Sequence, residues 1–168
     1  MTYVTLGGVT VGVCLLVWTL VQWYPGAKLR KDPLRVLARL LPFVLGWAYG
    51  VLAVLTVGGL VGWIARGALW ISNWLGDVAL VWGAGGDAGA RASGHAFLPL
   101  TQTGTAVVLI LTAAMVAAVK KSAHGAELKR GALCGVCLGT SAGVAGFAAV
   151  PLAQAVNVLG GFVYGAVA

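Results

Sequence analysis

The chain has 168 residues, of which 60% are hydrophobic and only 9% are charged. A soluble domain carries about 25% charged residues, so this composition excludes a soluble globular protein and predicts a single integral membrane domain over residues 1–168. The net charge of +7 gathers mainly in two clusters between apolar runs, a distribution that favours membrane topology over nucleic-acid binding.

The first two apolar runs predict transmembrane helices over about 3–24 and 38–65. Both reach the roughly 20 residues that a helix needs to cross a hydrocarbon layer. The first basic cluster follows the first span and extends into the start of the second: Lys28, Arg30, Lys31, Arg35 and Arg39. The second run carries four glycines on one four-residue ridge, which predicts close helix packing: Gly46, Gly50, Gly58 and Gly62.

Residues 68–82 predict an amphipathic helix. At 100° per residue, Trp70, Trp74 and Trp82 share one apolar arc. The opposite side is small or polar: Ser72, Asn73, Gly76 and Asp77. The segment is short for a span, and tryptophan favours the membrane–water interface. We therefore expect an interfacial helix on the outer side, with a docking face for a partner protein as the alternative.

The third span is predicted over 99–119 and is followed by the second basic cluster: Lys120, Lys121, Lys129 and Arg130. The last apolar stretch, 131–168, would be about 57 Å long as one helix, which exceeds a bilayer. Pro151 is expected to kink or break it. The prediction is a span over 131–151 and a C-terminal apolar helix over 152–168, which either continues that span or forms a separate helix.

These elements predict an all-α fold with four transmembrane helices and one interfacial helix on the outer side. The positive-inside rule places both basic clusters in the cytoplasm. Both termini then lie outside a multi-pass protein of the cell (inner or plasma) membrane. The preference for Ala, Gly, Val and Leu is typical of a GC-rich bacterial genome.

A second glycine ridge opens the last apolar stretch: Gly131, Gly135, Gly139 and Gly143. Glycine costs a helix interior roughly 1 kcal/mol relative to alanine, so this run indicates a compensating close contact between helices in a membrane. The helix that fills the groove belongs either to the same chain or to another copy.

Cys134-Gly-Val-Cys137 has the spacing of a redox motif and resembles the CxxC of four-span membrane thiol oxidoreductases. Those enzymes use a second cysteine pair, whereas only Cys14 remains here. Their chemistry also faces outward, whereas Cys134 and Cys137 lie beside the second basic cluster, which is predicted to be cytoplasmic. We therefore interpret both cysteines as packing residues, with thiol-redox chemistry as the alternative. A metal site would need His124 and Glu127 to join them.

No ionisable residue lies deep in a predicted span, and no P-loop is present, so we expect no enzyme: no catalytic residue, cofactor or metal. Gln154 and Asn157 are interpreted as bridges between helices or as pore-lining groups.

The function predicted is that of a non-enzymatic membrane subunit that oligomerises or joins a larger complex, forming or scaffolding a passage for transport. The expected partners are the lipid bilayer and, at the basic loops, a cytoplasmic ATPase or a nucleic acid. Residues 101–168, with a helix, a short basic loop and a Gly-rich helix, resemble the hairpin of conjugative pilin-type subunits. That resemblance implies secretion, conjugation or phage-type machinery, and a holin is a further alternative.

Overall fold

The computed structural model describes residues 3–24, 33–56, 58–92, 100–141 and 144–167, with side chains except at 33–37, 144–146 and 167. These residues form six α-helices and no strand: α1 Leu6–Trp23, α2 Pro33–Leu55, α3 Gly59–Ala84, α4 Gln102–Lys121, α5 Gly125–Leu138 and α6 Val144–Val167. Four stretches are long and apolar enough to cross a membrane: Leu6–Trp23, Ala38–Leu55, Gln102–Lys121 and Phe147–Ala166. The fold is therefore all-helical and fits a multi-pass membrane protein.

The short helix α5 lies at the centre of the bundle. It is antiparallel to α1, because Gly12 meets Leu138 at one end of the pair and Gln22 accepts a hydrogen bond from Arg130 at the other, at 2.9 Å. It follows α4 after a turn at 122–124, so α4 is also antiparallel to α5. Five basic residues thus come to one end of the bundle, which we call the basic end: Arg39, Lys120, Lys121, Lys129 and Arg130.

The core lies beside the C-terminal halves of α2 and α5. The largest fully buried side chains are those of Leu69, Val51, Val108, Cys134 and Cys137. One contiguous cluster of buried residues joins Val51, Leu69, Val108, Val136 and Ala153, so five helices, α2 to α6, meet in the core.

Helix α3 runs across the end of the bundle opposite the basic end. Its first turn lies near the end of α2, because Gly62 approaches the Thr56 carbonyl. Further along, the Asn73 side chain accepts a hydrogen bond from the Thr5 amide (3.2 Å) and donates one to the Tyr3 carbonyl (3.0 Å). The first turn of α3 thus contacts the end of α2, and later residues of α3 contact the start of α1. Both contacts lie at the end of the bundle opposite the basic end, so α3 does not return to the basic end.

The prediction of one span over 38–65 is wrong, because α2 ends at Leu55 and a new helix begins at Gly59. The Thr56 hydroxyl donates to the Ala53 carbonyl at 2.7 Å, and Gly59 adopts a left-handed backbone with φ +76°, which a side chain would disfavour. The predicted interfacial helix 68–82 is consequently only part of the 26-residue helix α3.

The predicted boundary at Pro151 is also wrong, since Pro151 lies inside α6. The chain leaves the helical path earlier, after Leu138, where the Ser141 hydroxyl donates to the Leu138 carbonyl at 2.7 Å. Such local hydrogen bonds compete with helix continuation. The predicted span 131–151 therefore contains parts of two helices, and the predicted helix 152–168 is the later part of α6.

Candidate functional site

The contact between α2 and α5 is built from two pairs of glycines that face each other's backbones. A methyl group added at Gly131 would overlap the Phe43 carbonyl and lie 2.9 Å from the Trp47 amide nitrogen. One added at Gly135 would overlap the Trp47 carbonyl and lie 2.9 Å from the Val51 amide nitrogen. Each step of four residues on α5 thus matches a step of four on α2, so the two helices are parallel.

The glycines of α2 complete this interface from the other side. A methyl group at Gly46 would overlap the Leu128 carbonyl, and one at Gly50 would overlap the Ala132 carbonyl. Both helices therefore contribute two glycines four residues apart, and the backbones approach as closely as in small-xxx-small membrane pairs. The groove on α5 is filled by α2 of the same chain.

Of the remaining glycines in the two predicted ridges, only one is seen to take part in the contact between α2 and α5. A methyl group at Gly139, the C-cap of α5, would lie 3.1 Å from the Val51 Cα, so Gly139 belongs to the same contact. Gly58 faces open space and Gly62 lies on α3, so the prediction that they extend the ridge of α2 is corrected by the helix break before them. Gly143 lies outside the described residues.

A second close contact, between α1 and α3, is only partly visible in the sequence. A methyl group at Gly76 would overlap the Gly7 carbonyl, and one at Gly8 would overlap the Asn73 amide oxygen. The sequence signal for this contact is Gly76, which belongs to the small and polar side of the predicted amphipathic helix 68–82. No helical spacing marked Gly7, so sequence reasoning missed this residue.

Cys134 and Cys137 occupy the centre of the bundle, and both are free thiols with 0% exposure. The Cys134 thiol donates a hydrogen bond to the Gly12 carbonyl oxygen, with the sulfur 3.3 Å from that oxygen. Gly12 is also in contact with Leu138 and Cys137. The two cysteines thus fill the space between α5 and α1, and they carry no solvent-exposed sulfur.

The contact between α4 and α6 combines glycines with a polar cap. The Asn157 side-chain oxygen accepts from both the amide and the hydroxyl of Thr101, each at 3.0 Å. Thr101 is the N-cap of α4 and accepts from the Gly104 amide. A methyl group at Gly160 would lie 2.6 Å from the Thr103 carbonyl carbon. Asn157 therefore bridges α6 to α4, whereas Gln154 is exposed.

The structure brings residues of both predicted basic loops together. Arg39 from the first and Arg130 from the second line one cavity of about 640 Å³. Lys120, Lys121 and Lys129 are at the same end, on α4 and α5. Arg35 lies in α2, where its backbone alone is described, and Lys28, Arg30 and Lys31 lie outside the described residues.

Helix α3 faces the bundle with a side made mainly of small residues, together with Leu69, and presents its tryptophans outward. The residues it buries are Gly62, Ala65, Leu69, Ser72 and Gly76. By contrast, Trp70, Trp74 and Trp82 are 70%, 60% and 88% exposed. This is the reverse of the order in a soluble protein, in which the apolar face of a surface helix packs on the core.

A smaller cavity of about 410 Å³ lies beside the polar part of α3, at the end opposite the basic end. Its lining includes Tyr3, Asn73 and Asp77, and the Arg91 guanidinium lies 4.2 Å from the centre of the Tyr3 ring. The cation–π contact and the hydrogen bonds of Asn73 hold residues 3–5 in place at the start of α1.

Among the described side chains no three His, Cys, Asp or Glu residues are grouped as metal ligands. His124 and Glu127 lie near the start of α5, while Cys134 is about 10 Å further along the helix axis, so the structure does not bring these four residues together. Comparisons with family models, curated proteins and solved structures find no match for this chain.

Proposed function

We propose that this chain is a non-enzymatic, multi-pass membrane subunit whose role is structural, and that it takes part in a larger membrane assembly such as secretion, conjugation or phage-type machinery. The observation that supports the structural role most directly is the reciprocal glycine packing of α2 and α5. It holds these two helices together through close backbone contacts, as a structural subunit requires.

The packing at the centre of the bundle limits where a passage formed by such a subunit could run. Cys134, Cys137 and Val51 are fully buried there, and the cavities of 640 and 410 Å³ described above lie at opposite ends of the bundle. A passage formed by this protein would therefore run between subunits and not through the middle of one chain.

The orientation we propose places the basic end in the cytoplasm. Arg39 of the first cluster and Arg130 of the second are at the same end, and cytoplasmic flanks of membrane helices are enriched in Lys and Arg. The start of α1, the end of α2 and the whole of α3 then lie at the outer surface. An ATPase or a nucleic acid could meet the basic end.

For α3 we propose a position in the outer membrane–water interface. The helix crosses the end of the bundle, and its exposed tryptophans have the amphipathic character that suits this depth. Its inward side is already occupied by α1, through Gly76 and Asn73. The bilayer is thus the partner that covers the apolar side.

Cross-linking in native membranes, followed by native mass spectrometry in mild detergent, tests the assembly role. We expect a defined homo-oligomer or a complex of fixed stoichiometry, preserved in the variant Gly67→Ala, because Gly67 faces open space. A strict monomer without a stoichiometric partner would contradict the proposal.

Two other functions receive less support from the geometry. A thiol-redox role would need access to Cys134 or Cys137, and both are fully buried. A pilin-like hairpin would pair α4 with α5, yet Gly131 and Gly135 on α5 face α2. The cysteines therefore fit packing better than redox chemistry.

A further inference from the structure

The larger cavity, at the basic end, is formed where three helices terminate or begin. The last turns of α1 contribute Gln22 and Trp23, α2 contributes Arg39, and the start of α5 contributes Glu127 and Arg130. Its volume is about 640 Å³, which lies within the range of about 300–1,000 Å³ typical of small-molecule sites.

The charges around this cavity do not cancel. Two guanidinium groups, of Arg39 and Arg130, face one carboxylate, of Glu127. That carboxylate lies 3.3 Å from the His124 ring nitrogen. Among the described residues, neither Arg39 nor Arg130 forms an ion pair with a carboxylate.

The two arginines can still donate hydrogen bonds into the cavity. Arg130 uses one guanidinium nitrogen, Nη1, to donate to the Gln22 side-chain oxygen at 2.9 Å, which fixes the direction of its side chain. A guanidinium has five N–H donors and matches the geometry of phosphate oxygens. Thr19 and Gln22 add neutral polar groups to the lining.

We propose that this cavity binds a phosphate group, held between Arg39 and Arg130. The phosphate can come from the headgroup of an anionic phospholipid or from a free phosphate compound. The position of the cavity favours the lipid, because Trp23 ends the first membrane-spanning stretch and Ala38 begins the second. Phe43 and Leu40 form an apolar wall beside the charges, as the glycerol and upper acyl chain of a lipid require.

The test uses the purified full chain in nanodiscs of phosphatidylcholine with a rising fraction of phosphatidylglycerol, with bound lipid counted by native mass spectrometry. The double variant Arg39→Gln/Arg130→Gln is expected to lower the retention of phosphatidylglycerol at least about tenfold, since charge-assisted hydrogen bonds are among the strong ones. Lys121→Gln is the matched control, because Lys121 is exposed at the same end outside the cavity lining. It should retain the lipid within about twofold, as expected for one exposed and screened charge.

The variant Arg39→Lys/Arg130→Lys keeps both charges but lacks the planar donor fork. We expect lipid retention between that of the native protein and that of the glutamine variant, and this readout remains valid if the glutamine variant fails to fold. Equal losses in the cavity variants and in Lys121→Gln would overturn the proposal, because they would indicate diffuse charge attraction. The proposal also fails if the two double variants and Lys121→Gln all weaken the binding of a single-stranded oligonucleotide equally and leave lipid retention unchanged.

Competition identifies the source of the phosphate. Inorganic phosphate added to the nanodiscs should leave bound phosphatidylglycerol in place, which supports the lipid as the ligand. Displacement of the lipid by inorganic phosphate, with loss of phosphate binding in Arg39→Gln/Arg130→Gln, would support the phosphate site with a free phosphate compound as its ligand. Neither result bears on the proposed assembly role, which rests on different residues.

Discussion

Gly135 of α5 lies directly against the Trp47 backbone of α2, so closely that a methyl group on Gly135 would overlap the Trp47 carbonyl oxygen. Gly50 makes the reciprocal contact with the Ala132 carbonyl. Because these two approaches occur within one turn of each helix, the distance between the axes of α2 and α5 depends on the absence of side chains at both positions. The interface cannot accept a larger residue unless the helices move apart.

We predict that Gly135→Ala destabilises the folded protein by about 1–3 kcal/mol, the usual cost of overpacking a well-packed core. Gly67→Ala is the control, because Gly67 lies inside α3 with nothing within 4 Å of an added Cβ. It should be neutral or stabilise by up to about 1 kcal/mol, since alanine is the better helix former. Thermal unfolding in detergent, followed by far-ultraviolet circular dichroism, measures both. Equal effects of the two substitutions would contradict the packing in which α2 fills the groove of α5.

The sequence predicts much of the membrane character and rather less of the helix boundaries. Apolar runs of sufficient length locate three of the four stretches that can cross a membrane, because span length is set by bilayer thickness. The fourth, Phe147–Ala166, overlaps the predicted span 131–151 only at its start. Glycine spacing likewise reveals one side of α5. It does not reveal the partner, since Gly131 and Gly135 would look the same facing another chain.

The missed boundaries have a common cause. At Thr56–Gly59 and after Leu138 the chain leaves the helical path without any charged residue, so hydropathy gives no signal there. The breaks depend on local hydrogen bonds, from the Thr56 hydroxyl to Ala53 and from the Ser141 hydroxyl to Leu138. The boundary was predicted at Pro151 instead, although membrane helices tolerate proline where neighbouring groups satisfy the backbone.

The burial of Cys134 and Cys137 leads to a prediction about thiol reactivity. With 0% exposure, neither should react with a water-soluble maleimide until the protein is unfolded. Ala123→Cys provides a reactive control, because Ala123 is exposed in the turn between α4 and α5. Because Cys14 is exposed, both proteins carry Cys14→Ala, and mass spectrometry of intact protein before and after denaturation counts the remaining labelled thiols. Rapid labelling of the native pair, or a reversible disulfide between them in the folded chain, would revive the redox alternative.

The position proposed for α3 predicts a shallow depth for its exposed side. A single cysteine introduced as Trp74→Cys, in a variant whose three native cysteines are replaced by alanine, can carry an environment-sensitive fluorophore. We expect strong quenching by lipids with a nitroxide near the headgroup and weaker quenching by lipids labelled deep in the acyl chain, as for an interfacial helix. A fluorophore at Leu109 of α4, which is 63% exposed and lies within a stretch long and apolar enough to cross a membrane, should show the opposite preference. Absence of quenching at Trp74→Cys would instead favour a protein partner on this side.

The bridge between α6 and α4 predicts a local effect of removing one amide. Asn157→Ala deletes the acceptor of two hydrogen bonds from Thr101, and at roughly 0.5–1 kcal/mol each their loss should destabilise the bundle by about 1–2 kcal/mol. Asn157→Asp keeps an oxygen at the accepting position and should restore part of this loss, because every hydrogen bond described for this side chain uses its oxygen.

The matched control for this bridge is Gln154→Ala, three residues earlier on the same helix. Gln154 is exposed, and such surface changes usually stay within about 0.5 kcal/mol. Hydrogen–deuterium exchange distinguishes a local bridge from a general loss of stability, since the Thr101 and Gly104 amides at the start of α4 should exchange faster in Asn157→Ala while those of α5 do not change. Uniformly faster exchange, or the same exchange pattern in Gln154→Ala, would mean that Asn157 does not hold α4 against α6.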